Sequence, residues 1–508
     1  MITVRPQLIP EIDSAAERIL CLSAYDLICH AGESVARHIC ERRTTGSVLI
    51  FCGSGNNGAD GYATALALSA RGRTVQAVDV FGKGQKSMAG RRVLEDYTAA
   101  LGAPLTLEQA MTRSADIAVD AMLGTGRMGE LPEDGKRAVR HIGRIQAYTV
   151  AVDIPFGVDA EYGEVSEHAL RADLTVSLSF VKRGLLSYPA KEYCGELVCE
   201  TLGLDDARLL AAVEGWEIGL DDEAVRALLP PRRVTGHKGS FGHAMLMTGS
   251  KKYRGAATLA TLAALRTGVG LLTLATEQTV LAGMGKKLPE VIYRETPPID
   301  QMSEAERDAL LADTEGKSAL LVGPGSVSSE SLYTLVCALL EREGCPLILD
   351  ADAINALSLH REQGLSALKN ARRTVLLTPH PLEFARLTGK TVNDIQAHRL
   401  RYTEEFATEH GVALLLKGAA TVIAAEGRSI INPTGSTALA KGGSGDVLSG
   451  IVTAFAAQGA SPFAALAAAA YLHGAAGEHL AQDLSDYGVT PSDLPRQVAM
   501  ELAALLRA

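Results

Sequence analysis

No stretch of this 508-residue chain is long and apolar enough to span a bilayer. The longest apolar run, Ala464–Leu472, is alanine-dominated and far short of the ~20 residues a spanning helix needs. Met1-Ile-Thr-Val-Arg-Pro-Gln7 carries no apolar core behind a basic start, so no secretion signal is expected and a cytoplasmic location is. The eight cysteines form no Cys-x-x-Cys pair and no zinc spacing, which excludes a zinc module and suits a reducing compartment. Positive charge is also short. With 49 Lys and Arg against 59 Asp and Glu, the net charge of −10 argues against nucleic acid as the main partner. The Gly-X-Y period of collagen is absent, and no internal repeat of roughly 20–50 residues is evident.

What is present is apolar mass: 47% hydrophobic against 21% charged residues excludes disorder and calls for two or three cored domains. Fifty glycines fit an α/β enzyme with many strand-to-helix junctions near ligands.

Two halves read differently. Short β-rich runs at Ser47–Cys52, Thr74–Val80, Ile117–Asp120, Tyr148–Asp153 and Leu174–Leu178 alternate with helical stretches such as Asp60–Arg71 and Met88–Leu101. That alternation predicts a parallel sheet with right-handed crossovers. A helical segment from Ile12 to Arg43 precedes the first strand and is expected beside the sheet or on a neighbouring subunit, within a homo-oligomer. Acidic residues from Asp205 to Glu223 and the pair Pro230-Pro231 then break the pattern, placing the boundary near Ala212–Asp222. Beyond it, alternation restarts with strands at Ala244–Thr248, Leu271–Leu274, Ala319–Val322, Leu347–Asp350, Val375–Thr378 and Ala413–Leu416, before a mostly helical end. The expected fold is α/β with two domains, 1–212 and 222–508, each a three-layer αβα sandwich.

Gly53-Ser-Gly55-Asn-Asn-Gly58 matches G-x-G-x-x-G between a strand and a helix, with Asp79 about twenty residues on, as a dinucleotide fold requires. The loop's chemistry argues otherwise. Asn56, Asn57 and Asp60 stand where a pyrophosphate loop keeps small residues, and a carboxylate there disfavours bound phosphate. Asp60 reads either as an N-terminal cap with Asn56 and Asn57 as turn residues, or as part of a polar or cation-binding site. Asp120-Ala-Met-Leu-Gly124-Thr-Gly126 and Asp153-Ile-Pro155-Phe-Gly157 put two more aspartates at strand C-termini, where open parallel sheets bind ligands.

Together, Gly55–Gly61, Asp120–Gly126 and Asp153-Ile-Pro155 resemble NAD(P)H-hydrate epimerase over residues 15–205. The resemblance implies a Rossmann-like fold that epimerises C6 of a hydrated nicotinamide ring with a bound potassium ion. It implies substrate contacts from Asn56, Asn57, Gly58, Ala59 and Asp60 and from Gly124, Thr125, Gly126, Arg127, Met128, Gly129 and Glu130. Asp153 would be the catalytic residue beside the reacting ring, with potassium held by Asn57, Asp120 and Phe156. The family usually has serine where Phe156 stands, so only a backbone carbonyl is on offer there.

In the second half, Lys441-Gly-Gly-Ser-Gly-Asp446 leads into a helix from Val447, and its glycines turn backbone amides into an anion hole. Asp446 reads either as a helix cap or as a base over a phosphoryl acceptor. Lys417, directly after a buried-looking strand, is more than solvated surface. Gly-Gly-x-Gly-Asp resembles the ribokinase-like superfamily. Adding Gly255-Ala-Ala257, Gly323-Pro-Gly325, Asp350-Ala-Asp352-Ala-Ile-Asn355, Thr378-Pro-His380-Pro-x-Glu383 and Lys417-Gly-x-x-Thr421, residues 225–505 resemble ADP/ATP-dependent NAD(P)H-hydrate dehydratase. That resemblance implies hydrate contacts from Ala257, Gly325, His380 and the catalytic Asp446. It implies ADP contacts from Lys417, Gly418, Ala419, Ala420, Thr421 and Gly445, with magnesium accompanying the nucleotide.

The two resemblances point to one fused repair activity acting on NADH and NADPH hydrates with ADP, and to no nucleic-acid or membrane partner. The rivals are a vitamin or sugar kinase of the ribokinase-like type and a non-catalytic, binding or scaffold role for the N-terminal half. His473, on an alanine-rich stretch, reads as packed rather than ligating. His237-Lys238 is either a ligand contact or a solvated turn, and Trp216 falls in the expected linker.

Overall fold

The computed structural model describes residues 2–125, 130–282, 284 and 288–507 and divides into two compact units, Met1–Ile218 and Gly219–Ala508. Among the described residues no helix is long and apolar enough to cross a membrane.

In the first unit, Val48–Cys52, Ile117–Ala121 and Leu174–Leu178 are buried at every position, as strands covered on both faces must be. They belong to a seven-stranded, all-parallel sheet ordered Leu105–Thr106, Val75–Asp79, Val48–Cys52, Ile117–Ala121, Tyr148–Val152, Leu174–Leu178 and Glu196–Glu200. The side-chain period of two sends Ile50 and Val119 into one apolar layer and Leu49, Phe51 and Ala118 into the other. The chain runs outward in one direction from Val48–Cys52 and in the other from Ile117–Ala121, so these neighbours form the topological switch point.

The expected single helix before the first strand is two, Ile9–Leu20 and Ala24–Arg42. Cys21 adopts a left-handed φ of 58°, and Ser23 with Asp26 forms a capping box that restarts the helix. The first unit runs on to Ile218, inside the expected boundary stretch 212–222. Leu209 and Val213 are buried with Ile12 and Ala16, and the half-buried Trp216 packs against them with its ring 4.9 Å from Phe180, so Trp216 belongs to the first unit and not to a linker. A small second sheet sets Ile2–Val4 between Glu217–Ile218 and Val181–Lys182.

The second unit carries nine strands ordered Ile292–Thr296, Leu271–Glu277, His243–Met247, Ala319–Val322, Leu347–Leu349, Val375–Leu377, Ala413–Leu416, Val422–Ala425 and Arg428–Ile431. All neighbours are parallel up to Ala413–Leu416, and the last two strands are antiparallel. The same period sends Leu246, Leu321 and Leu415 to one core and Met247, Leu320 and Leu414 to the other. Ile292–Thr296 escaped the sequence reading because it is a half-exposed edge strand with Arg294 and Glu295 in it, which blurs the apolar pattern.

Candidate functional sites

In the first unit a cavity of about 500 Å³ opens at the switch point, lined by Asn56, Asn57, Asp60, Gly124, Thr125 and Asp153 among others. Two glycines make the turn possible. A Cβ at Gly53 would stand 1.8 Å from the Met122 carbonyl oxygen, and one at Gly58 would stand 1.9 Å from that of Gly53. The helix starts earlier than the sequence suggested, at Asn56 with Gly55 as its cap. Asn56 and Asn57 are therefore helical rather than turn residues, and Asp60 is one turn too deep to be a cap. Burial and the neighbouring Asp153 and Asp13 hold the Asp60 carboxyl well above the usual carboxylate range, with Lys182 opposing.

Asp120 is wholly buried. Its Oδ1 accepts the Met122 N–H at 3.0 Å and its Oδ2 the Phe156 N–H at 2.7 Å, tying two loops together. Burial pushes its carboxyl up to about 7, against the two backbone N–H donors. Asn57 donates through Nδ2 to the Leu123 carbonyl at 2.8 Å, while its buried Oδ1 has no partner among the described residues. The Phe156 ring is fully buried in the apolar layer with Phe51 and Leu170, and Gly135 supplies its space: a Cβ there would lie 2.5 Å from the ring. The Phe156 carbonyl accepts the Leu170 N–H at 2.9 Å.

Asp153 has a left-handed φ of 67° and is bound by Lys182, whose ammonium donates to its Oδ1. Gly58 and Ala59 are buried behind the cavity, and Glu130 is solvent-exposed. Gly126, Arg127, Met128 and Gly129 lie outside the described residues. Lys182 and Asp13 line this cavity too, and the sequence reading did not single them out. Lys182 had a signal, a charge directly after the β-rich Phe180-Val181.

In the second unit, charged groups converge on the C-terminal edge of the sheet. Gly443, at φ 107°, caps the helix Ser444–Ala457, so Asp446 is its third residue and makes no capping hydrogen bond. The cap reading of Asp446 is thereby removed. Burial, with Asp350 and Asp352 adding to it against Lys417, pushes its carboxyl up to about 7. The Lys417 ammonium donates to buried Asp350 Oδ1 at 2.8 Å, lies 3.9 Å from Glu383 Oε2, and would meet a Cβ on Gly445 at 3.2 Å. Lys417 thus sits beneath the glycine turn among carboxylates, which raise its pKa against burial.

His380 caps the helix Pro381–Thr388. Its Nδ1 accepts the N–H groups of Leu382 and Glu383 at 3.1 and 3.2 Å. Nδ1 is an acceptor, so the neutral ring keeps its proton on Nε2, 3.2 Å from Glu383 Oε1. The Glu383 carboxyl, 5% exposed, is pushed up to about 7 chiefly by burial. Ala257 is fully buried, and Gly325, at φ 66°, has Tyr253 and Ala256 at its back: a Cβ would meet theirs at 2.8 Å. The loop Gly418–Thr421 runs outward from Lys417. Buried Arg399 anchors its base by donating to the carbonyls of Leu416 and Lys417, each at 3.2 Å. Asp350 and Glu383 stood in motifs without an assigned role; that they surround Lys417 depends on strand order. His473 is buried with its pKa pulled down to about 4 by desolvation, and exposed His237 only caps a turn through Gly239.

Comparison with known proteins covers both halves. A family profile described as NAD(P)H-hydrate dehydratase matches residues 244–499, and one described as YjeF-related protein N-terminus matches residues 24–184. A Pyrobaculum aerophilum protein named bifunctional NAD(P)H-hydrate repair enzyme is 35% identical over 481 residues, covering 92% of each chain. A Moorella thermoacetica protein of the same name is 35% identical over 455 residues, covering 86% of this chain and 85% of that one. A Bacillus subtilis ADP/ATP-dependent NAD(P)H-hydrate dehydratase, co-crystallized with ATP/Mg2+, is 34% identical, with a TM-score of 0.49, over 56% of this chain and 98% of that one.

Proposed function

Because the chain belongs to the bifunctional NAD(P)H-hydrate repair family, joining an epimerase to a dehydratase, we propose how its own residues divide that work. The C6 epimers of hydrated NADH and NADPH interconvert in the cavity at Asp153, and the S epimer is dehydrated beside Asp446. A kinase with an inert N-terminal half is disfavoured, since both halves match the repair family.

In the second unit, Asp446 takes the proton of the C6 hydroxyl as that oxygen attacks a phosphoryl group. Backbone N–H groups at the start of Ser444–Ala457 and the Lys417 ammonium stabilise the charge on that group. ADP supplies the phosphoryl group, and magnesium, when bound, neutralises charge during the transfer. Hard carboxylate oxygens from Asp350, Glu383 and Asp446 suit magnesium, which needs only one or two beside phosphate. Phosphate is a better leaving group than hydroxide; its departure with the C5 proton restores the ring double bond. Ala257, Gly325 and His380 border the hydrate, and Gly418–Thr421 with Gly445 the nucleotide. The observation that carries this reading is Asp446, one turn into a glycine-opened helix, uncapped and with its carboxyl near 7. The test is incubation with mixed hydrate epimers and ADP: full recovery of dihydronicotinamide absorbance supports it, and recovery of half refutes the epimerase assignment.

Potassium fits the first unit's donor set: an unpartnered buried Asn57 Oδ1 and the buried Asp120 carboxylate, with the Phe156 carbonyl, which also accepts the Leu170 N–H, as the third donor the family resemblance implies. A bound potassium ion would neutralise Asp120 where the protein offers only dipoles. Asp120→Ala is expected to slow epimerisation and remove any potassium dependence while dehydration is unchanged; epimerisation rates against potassium concentration check this. A fragment beginning at Gly219 is expected to fold, because the second unit has its own two cores. It should consume only one epimer; loss of both at catalytic speed would refute the division.

A further inference from the structure

Lys182 is buried at 2% exposure on Val181–Lys182, a strand paired in register with Ile2–Val4. Its ammonium donates to Asp153 Oδ1 and, at 2.6 Å, to the Leu178 carbonyl. The Leu178 N–H donates to the same Oδ1 at 3.0 Å. One carboxylate oxygen therefore takes two donors. Oδ2 receives none from the protein among the described residues, and a Cβ on cavity-lining Gly124 would come 3.9 Å from it. The backbone is pinned from the same strand, since the Asp153 N–H donates to the Val176 carbonyl at 2.8 Å. This holds Asp153 at a positive φ that non-glycine residues rarely adopt, a strain that persists only where surroundings over-determine it.

We infer that Lys182 is the positioning residue of the epimerase, clamping Oδ1 of Asp153 so that Oδ2 alone faces the substrate as the proton-exchanging oxygen. This rests on the epimerase reading of the first unit. C6 bears the hydroxyl and is bonded to ring nitrogen N1. Oδ2 accepts the hydroxyl proton as the C6–N1 bond breaks; the bond's electron pair goes to N1, and the same proton is delivered there. The resulting C6 aldehyde turns, and the reverse transfers close the ring on its other face, with no oxidant or reductant. The other charged or titratable groups at this site are Asp13, Glu17, Asp60 and Lys86 on the cavity wall and Cys199 near the Lys182–Asp153 pair.

Lys182→Met is expected to lower kcat for epimerisation about 10²-fold, in the range of acid–base losses, with KM little changed. Dehydration by the same protein should be unchanged. In an Asp153→Asn background the same change should cost nothing more. Additive losses, or a loss carried by KM with kcat unchanged, would overturn the inference. If Lys182→Met is insoluble, Lys182→Gln is measured in the same cycle with the same criteria. A wild-type protein that leaves epimerisation at its spontaneous rate would instead sink the epimerase reading itself.

Discussion

Asp446→Asn is expected to bring ADP-dependent dehydration nearly to a stop, a loss of about 10²–10⁴-fold, while epimerisation by the same polypeptide continues at its normal rate. Asparagine keeps the shape and removes the proton acceptor. Asp446 makes no capping bond, so the loss cannot come from helix fraying. Its carboxyl, near 7 in the folded protein, is mostly protonated at pH 6 and mostly ionised at pH 8, so wild-type dehydration should rise across that interval. The stability sign follows from the same shift. A carboxyl whose pKa is raised by folding costs stability as pH climbs above its unfolded value, in full above about 7. The variant should therefore melt no lower than wild type at pH 8. Turnover paired with melting at pH 5 and pH 8 checks both expectations. Retention of more than a tenth of wild-type dehydration would remove Asp446 from the mechanism.

Lys417→Met is expected to be the most destabilising single change at the dehydratase site. Lys417 is the cation among Asp350, Glu383 and Asp446, and Asp350 is 1% exposed at its side chain. Removing one partner of a buried ion pair leaves an uncompensated charge, at a cost of about 3–5 kcal/mol. For a unit of this size that is a fall in Tm of roughly 5–8 °C. Glu383 and Asp446, whose carboxyls sit near 7, can take up protons instead, so the loss should be smaller at pH 5.5 than at pH 8. Dehydration should fall with it, since the charge beneath the glycine turn that meets the phosphoryl group is gone. Equal melting losses at both pH values would show that packing of the lysine stem, rather than its charge, is what the site needs.

Much of this protein is legible from local sequence. Parallel strands buried on both faces must be continuous apolar runs, which is why the sheet cores could be read from Ser47–Cys52 onward and from Ala244–Thr248 onward. Glycines at Gly53, Gly58 and Gly443 likewise announce junctions where a backbone must pass close to another or turn at positive φ. Sequence alone also set out Asp120, Asp153 and Asp446 at strand ends and helix starts, because those places are local properties of the chain. Only tertiary structure decided which charges meet. Lys182 reaches Asp153 because Tyr148–Val152 pairs with Leu174–Leu178, four residues before the lysine, and Lys417 reaches Asp350 across 67 residues because their strands flank Val375–Leu377. It also decided that Phe156 turns its ring into the core against Gly135, while its backbone N–H donates to Asp120. Periodicity records which face of an element is buried, but a long-range ion pair leaves no period, and its partners are named only by the order of strands in the sheet.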